Sequence, residues 1–239
     1  MSTTTHPGLK QAVVAALAAG ALNLDAKPAY LQHLKLAEQV KLDGGGHCEV
    51  WDLEVAADAP CLSEWASRFR QTYCPDSDID ILRAGTGKSR AEYLVELVFP
   101  DKTAPPGPGV RSGDFAELLV SDYVEFILGY WVPRGKYAEK GSRNESVKGV
   151  DIVGFKCPDA AQPKATDEML TFEAKAQLGD GKYKGRLQDA VDDSGKDYLR
   201  AGETLAAMKR RMHVSGERAS MLVVERFQNV ADRPYRLLS

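Results

Sequence analysis

The chain has 239 residues, of which 44% are apolar and 27% charged, as in an ordinary soluble globular protein with a sizeable core. Its formal net charge of −3 argues against a protein that holds nucleic acid by itself over a broad basic surface, because neutralising phosphates requires an excess of lysine and arginine. Four cysteines without a C-x-x-C pair disfavour a zinc site and are typical of reduced thiols in a cytoplasmic protein.

The first 99 residues predict an N-terminal α/β part that is mainly helical. Residues 8–42 have a helical pattern that Pro28 interrupts. The Ala-rich run at 12–22 is too short to span a bilayer, so no membrane association is expected. The alternation of apolar and charged residues in HCEVWDLEVA predicts a strand, and CLSEWASRFRQTYC predicts an amphipathic helix.

The sequence GTGKS, which ends at Ser89, has the ending of a phosphate-binding loop. Such a loop follows the pattern G-x-x-x-x-G-K-[ST], and Leu82 stands where its first glycine should be. Ser89 and Glu92 instead have the spacing of a capping box. In such a box the serine side chain accepts the N–H of residue 92, and the glutamate side chain accepts the N–H of the serine. We therefore predict a turn that begins a helix, and we expect any ATP hydrolysis to occur on another polypeptide.

The segment 100–113 contains four of the twelve prolines and three glycines, which predicts an extended linker. The remaining residues, 114–239, are predicted to form one domain. They contain a long helix that begins near Ser112 or Gly113, two strands in KGVDIVGFKC and EMLTFEAKAQL, and two or three C-terminal helices. The predicted fold class is α/β of the α+β kind.

Charged residues occupy the two predicted strands of this domain. In LTFEAKAQL, the two-residue period of a strand places Glu173 and Lys175 on one face and Phe172 and Ala174 on the other. Asp151 is a single carboxylate among apolar residues on the neighbouring strand. Such groups are costly to bury unless they are paired or bind a cation, and Mg²⁺ prefers oxygen ligands. If the strands pair as a hairpin, Asp151 and Glu173 can share one ion.

Glu117 supplies a third carboxylate from the predicted long helix. Its stripe of that helix is mostly apolar, whereas a polar wedge of Asp114, Asp122 and Glu125 lies to one side. We therefore expect Glu117 to face the core or a cleft.

Gly149, next to Asp151, is expected to leave room for a substrate. A purely structural alternative remains open. In that alternative, Lys175 forms a buried ion pair with one acid and Glu117 is an ordinary charge on a helix face.

The order of a helix Glu, a strand Asp and a strand Glu-x-Lys resembles the PD-(D/E)XK nuclease superfamily, although Asp151 stands in GVD without the nominal proline. More narrowly, RSGDFAELL, NESVKGVDIVGF and LTFEAKAQ look like the HamA nuclease family of Hachiman anti-phage defence systems. Members show a G-D-x-x-E-x-L helix, an H/K-G-x-D strand and an E-A-K strand. The resemblance covers residues 111–178 and implies a restriction-endonuclease-like mixed β-sheet core flanked by helices.

The resemblance also implies a deoxyribonuclease that depends on Mg²⁺ or Mn²⁺. Matched by position, Asp151 and Glu173 would bind the metal with the carbonyl of Ala174 as a further ligand. Glu117 would hold a second metal or a metal-bound water. Lys175 would orient or help to deprotonate the attacking water.

Further residues are candidates for contacts with DNA. Gln177 lies on the predicted face of Lys175, and a basic run follows it at Lys182, Lys184 and Arg186. A solvated surface explains these residues equally well. Tyr137, in the segment before the strand of Asp151, is another candidate of this kind.

In the resembled family the nuclease works beside a separate helicase. The resemblance therefore implies DNA and an ATP-dependent helicase subunit (HamB-like) as partners, with residues 1–99 as a candidate docking part. Two alternatives stay open: a stand-alone restriction or repair endonuclease, and a catalytically idle regulatory subunit that keeps the nuclease fold.

Overall fold

The computed structural model describes residues 27–54, 58–159, 162–178, 185–231 and 234–239. Within them the helices are α1 (Ala59–Tyr73), α2 (Ile79–Leu82), α3 (Arg90–Tyr93), α4 (Gly107–Phe126), α5 (Arg186–Ser194), α6 (Asp197–Val214) and α7 (Arg218–Arg226). The strands are β1 (Leu34–Lys41), β2 (His47–Leu53), β3 (Ile152–Lys156), β4 (Glu168–Phe172) and β5 (Arg236–Leu238). A 3-10 turn at Ala29–His33 precedes β1, and a π turn at Leu94–Val98 extends α3. The predicted α+β class is confirmed.

The strands form two small sheets. β1 and β2 make an antiparallel ribbon, and the second sheet is mixed, with β4 antiparallel to β3 and parallel to β5. Its antiparallel register pairs Ile152 with Phe172. Continuing that register by one residue places Asp151 opposite Glu173, where the two strands end. The sequence prediction did not include β5, because three residues are too few to show a strand period.

Strand β3 of the three-stranded sheet is buried on both faces. Val153 and Phe155 of β3 belong to a cluster with apolar residues of α6 and α7. Ile152 belongs to a second cluster, which includes Val124 of α4. Neighbouring residues of β3 therefore enter different clusters, as a strand covered on both faces requires. Since α4 and α6 lie on opposite faces, both can bring side chains to the end of the sheet.

The N-terminal part packs against α4 as well. Tyr30, Leu31 and Cys61 form a buried cluster, against which Leu119 and Phe126 of α4 pack. The division into parts 1–99 and 114–239 stays a prediction.

Two predictions of secondary structure are wrong. Residues 34–41, expected to be helical, form β1 because they pair with β2 along an antiparallel ribbon. The rest of that predicted helix up to residue 26 lies outside the described residues. The predicted linker also ends early, since α4 begins at Gly107. Pro108 lies in its first turn, where proline is tolerated because the N–H groups there have no acceptor within the helix.

The predicted capping box is confirmed. Ser89 Oγ accepts the N–H of Glu92 at 3.3 Å, and the N–H of Ser89 donates to Glu92 Oε2 at 2.8 Å. Gly85 and Gly87 both have positive φ, so they make the turn before the cap. The GKS sequence is therefore the start of α3.

The acids of α4 that were predicted to form a polar wedge are buried. Asp114, Asp122 and Glu125 are all less than 9% exposed. Their burial is offset by cations on the segment that follows α4, because Lys140 pairs with Asp114, and Arg134 pairs with Asp122 and Glu125. This segment thus runs back along the helix and is held there by ion pairs.

Replacing Arg134 with methionine tests how much these buried pairs contribute. The variant keeps the apolar stem but leaves Asp122 and Glu125 buried with less positive charge, so we expect the free energy of unfolding to fall by about 3 kcal/mol. Urea denaturation followed by circular dichroism measures the change. Arg83→Met is the control, because Arg83 pairs with Asp80 on the surface and its loss should hardly move the midpoint. Equal losses in both variants would contradict this expectation.

Candidate active site

Two carboxylates and a lysine meet at one end of the three-stranded sheet. Asp151 directly precedes β3, and its Oδ2 accepts the N–H of Ala174 at 3.0 Å, which holds the carboxylate against the opposite strand. Glu173 follows β4 and is buried. Its Oε1 accepts a hydrogen bond from Lys175 Nζ at 2.5 Å, so the two side chains lie together. The predicted strand is too long, however, because β4 ends at Phe172 and residues 173–178 form no regular element. Oε2 of Glu173 is buried without a hydrogen-bond partner among the described residues.

Glu117 reaches this end of the sheet from α4. It is buried, as predicted, and its Oε2 accepts hydrogen bonds from Tyr137 Oη at 2.8 Å and from Lys136 Nζ at 2.5 Å. Lys136 Nζ also donates to the carbonyl oxygen of Asp151 at 2.5 Å. One ammonium group therefore joins the helix glutamate to the strand that carries Asp151.

Lys136 was not predicted from the sequence, and Tyr137 was given a different role. A lysine in a loop has no distinguishing local pattern, and only the return of the chain along α4 brings Lys136 to the site. Tyr137 is buried, so the predicted contact with DNA does not fit its position. Burial and the charge of Glu117 raise the pKa of its phenol well above the usual value, so it stays a hydrogen-bond donor to Glu117.

The space beside Gly149 is filled, which contradicts the expectation of room for a substrate. A Cβ atom at this position would lie 2.9 Å from Oγ1 of Thr204 on α6, and the φ angle of Gly149 is +124°. The same Oγ1 accepts the N–H of Val150 at 3.1 Å. The glycine therefore allows α6 to approach the chain just before Asp151.

Only part of the set of predicted contacts with DNA falls within the described residues. Gln177 is exposed, and Arg186 begins α5, where its guanidinium pairs with Asp189 at 3.1 Å. Lys182 and Lys184 lie outside the described residues. Contacts between these side chains and DNA stay a prediction.

Two aspartates that were not predicted adjoin the site. Asp193 Oδ2 lies 2.8 Å from Lys175 Nζ. Asp197 is fully buried, and neither of its oxygens accepts a hydrogen bond within the described parts of the chain. Burial, and next the charge of Glu173, raise the pKa of Asp197 to about 6. Asp197 begins α6, where an acid is ordinary, and Asp193 lies in the last turn of α5, so nothing in the local sequence sets these two apart.

The charges at the site affect two pKa values in particular. Desolvation, followed by the charge of Glu117, raises the pKa of Asp151 to about 6. Burial disfavours the charged form of Lys175, but hydrogen bonds to Asp193 and Glu173 outweigh it and raise the pKa of the ammonium. Lys175 therefore stays protonated, which favours orienting the attacking water over taking a proton from it.

The model of the protein family described as HamA matches residues 28–237, which include residues 28–99 of the N-terminal part and every group at the end of the sheet. The chain belongs to the HamA family. HamA proteins are part of the Hachiman anti-phage defence system, so the chain has a role in that system. No curated protein and no solved structure matches it. None of the helices in the described ranges combines the length and apolar character needed to cross a membrane.

The residues of this HamA site suit a hard cation with few protein ligands. Nowhere in the described ranges do three or more His, Cys, Asp or Glu side chains group closely enough to hold a metal ion, and Glu117 is engaged by Lys136. Asp151, Glu173 and the carbonyl of Ala174 remain as donors. Mg²⁺ is commonly bound by one or two carboxylates and keeps several waters. A cation would satisfy Glu173 Oε2 and relieve the repulsion that raises the pKa of Asp151.

The raised pKa of Asp151 predicts that Asp151→Asn stabilises the metal-free protein. The folded-state pKa of about 6 exceeds the ordinary value of 3.8, so the folded state binds this proton more tightly than the unfolded state. The ionised carboxylate therefore lowers stability by about 3 kcal/mol above pH 6, and this penalty disappears as the pH falls through 6 towards 4.

Urea denaturation in a chelator at about pH 7.5 and about pH 5 measures this effect, and the asparagine variant should gain more at the higher pH. Asp192→Asn is the control, because Asp192 is exposed and hydrogen-bonds Gln188 on the same helix. An asparagine variant that is less stable than wild type at both pH values would contradict the expectation.

Proposed function

We propose that this HamA chain is a Mg²⁺-dependent deoxyribonuclease, which hydrolyses phosphodiester bonds as the effector subunit of a Hachiman complex with a helicase. The observation that carries the proposal is the convergence of Asp151, Glu173 and a charged Lys175 at one end of the sheet. Glu117 reaches the same place from α4 through Lys136. A buried carboxylate, a partly buried one and an ammonium group, together at the ends of two paired strands, are more than a structural ion pair needs.

Each residue then has a defined task. Asp151, Glu173 and the carbonyl of Ala174 hold Mg²⁺ (or Mn²⁺), which when bound supplies a Lewis acid and lowers the pKa of water. Lys175 orients the attacking water and offsets the negative charge that develops at the phosphorus in the transition state. Glu117 is kept in one orientation by Tyr137 and Lys136, so that its carboxylate stays directed at the site.

The charge of the site supports a role for a partner in engaging DNA. Glu173 and Asp193 contact Lys175, the charges of Glu117 and Glu173 act on Asp151, and the whole chain has a net charge of −3. Without bound cations such a surface repels phosphates, so binding of DNA by the chain alone should be weak. A separate ATP-dependent helicase subunit (HamB-like) then delivers DNA, in agreement with the absence of a phosphate-binding loop from the GKS sequence.

Cleavage of plasmid DNA tests the proposal directly. With Mg²⁺, and with and without the helicase, Glu173→Gln and Lys175→Met should lower the cleavage rate roughly 100-fold or more, because each removes a group that acts on the transition state. Lys164→Met is the control, since Lys164 is an exposed lysine that pairs with Asp159 and precedes β4, whereas the site follows that strand. Protection against phage should be lost in the same variants.

Binding of Mg²⁺ alone gives a readout that does not depend on cleavage. Mg²⁺ should raise the thermal midpoint of the wild type and leave that of Asp151→Asn unchanged, because a ligand stabilises only the state that binds it. Wild-type activity and phage protection in the Glu173 and Lys175 variants would show that the nuclease proposal is wrong. Cleavage at a fixed site by the pure chain would instead indicate a stand-alone endonuclease.

A further inference from the structure

Lys175 is held between two carboxylates that come from separate parts of the chain. Its Nζ lies 2.5 Å from Glu173 Oε1 and 2.8 Å from Asp193 Oδ2. The other oxygen of Asp193, Oδ1, lies 2.6 Å from Nζ of Lys196. The carboxylate of Asp193 therefore bridges two ammonium groups, one beyond the end of β4 and one between α5 and α6.

This bridge resembles a phosphate-binding site in which the carboxylate of Asp193 takes the place of the phosphate. Two ammonium groups that each take one oxygen of a carboxylate can also each take one non-bridging oxygen of a phosphodiester. All three side chains reach solvent, with exposures of 24% for Lys175, 31% for Asp193 and 56% for Lys196. A ligand from solution can therefore exchange with Asp193.

Lys136 offers a contrast within the same site. Its side chain is only 14% exposed, and its ammonium group is shared between Glu117 and the carbonyl oxygen of Asp151. Withdrawing it would leave a buried carboxylate without its cation, which is costly. Of the two lysines that contact carboxylates at the end of the sheet, Lys175 is the one available for exchange.

The helix that carries Asp193 is weakly attached. No residue of α5 is buried, and its apolar residues Leu187 and Val191 are mostly exposed. A partly exposed ion pair such as the one between Asp193 and Lys175 contributes little to stability, because water screens it and both side chains lose freedom. Breaking this pair should therefore leave the rest of the fold intact.

We propose that Lys175 and Lys196 form a binding site for one phosphate group of a nucleic acid, and that the carboxylate of Asp193 fills this site until the phosphate displaces it. The nature of the ligand rests on the proposed nuclease function. Asp193 thus masks the lysine that the chemistry needs, and Lys196 is an additional residue for binding the substrate.

Two aspartate variants with the same change in charge test the mask. Asp193→Asn weakens the bridge, whereas Asp192→Asn alters a neighbouring carboxylate that hydrogen-bonds Gln188. The affinity for a short fluorescent DNA duplex is measured by anisotropy in a chelator, over a series of salt concentrations. Asp193→Asn should bind about fivefold more tightly than Asp192→Asn at low salt, and its plot of log K against log salt should be steeper by about 0.9, the value for one added phosphate contact.

A second substitution tests the role of Lys196. In the Asp193→Asn background, Lys196→Gln should remove the gain in affinity. Lys209→Gln should keep the gain, because Lys209 lies further along α6 and pairs with Glu225 of α7. Equal affinity of the two aspartate variants would overturn the mask. Weaker binding by Asp193→Asn would overturn it as well, and would show instead that Asp193 positions Lys175.

Cleavage of the same duplex with Mg²⁺ separates this inference from the nuclease proposal. If wild type and Asp193→Asn both fail to cut but the gain in affinity persists, the phosphate site stands and the nuclease proposal fails. If the wild type cuts and the gain is absent, the nuclease proposal stands and the phosphate site is wrong.

Discussion

Ion pairs between α4 and the segment that returns along it determine the position of almost everything else. Arg134, Lys136 and Lys140 meet acids of the helix in reverse order, as an antiparallel path requires. These carboxylates are buried, so separating the segment from α4 would leave them buried without their cations, which is costly. The N-terminal part uses the same acids, because Arg68 pairs with Asp122. One row of carboxylates thus fixes both the docking of α1 and the route of the chain to β3.

That route explains how a helix and a sheet come to share a site. Lys136 lies between Arg134 and Lys140 in this row of ion pairs. Its ammonium group contacts both Glu117 and the carbonyl oxygen of Asp151. The pairing of β3 with β4 then brings Glu173 opposite Asp151. The ion pairs that hold α4 in place therefore extend into the candidate site. The same contacts offset the cost of burying charge there.

How far the sequence predicted this arrangement depends on whether a feature is local. The capping box follows from the three-residue spacing of Ser89 and Glu92 and is confirmed. A two-residue period predicts Glu173 and Lys175 side by side on a strand, whereas the two side chains meet beyond β4, which ends at Phe172. Burial of the acids on α4 depends on cations that lie up to 54 residues away, as Arg68 does from Asp122, and no sequence period predicts such pairs. The contacts of Lys136 and Asp193 are equally non-local. The prediction of a helix at β1 is wrong for the same reason, because these residues form a strand through their pairing with β2.

The glycine before Asp151 has a consequence for comparing relatives. Its φ of +124° and the 2.9 Å approach of Thr204 mean that position 149 and position 204 are coupled through the packing of α6. A relative with a side chain at position 149 would need a different backbone there and a smaller residue at position 204. In an alignment, these two columns should therefore vary together, and the glycine of the H/K-G-x-D motif should be weighed as a marker of where α6 lies, separately from the aspartate of the candidate site.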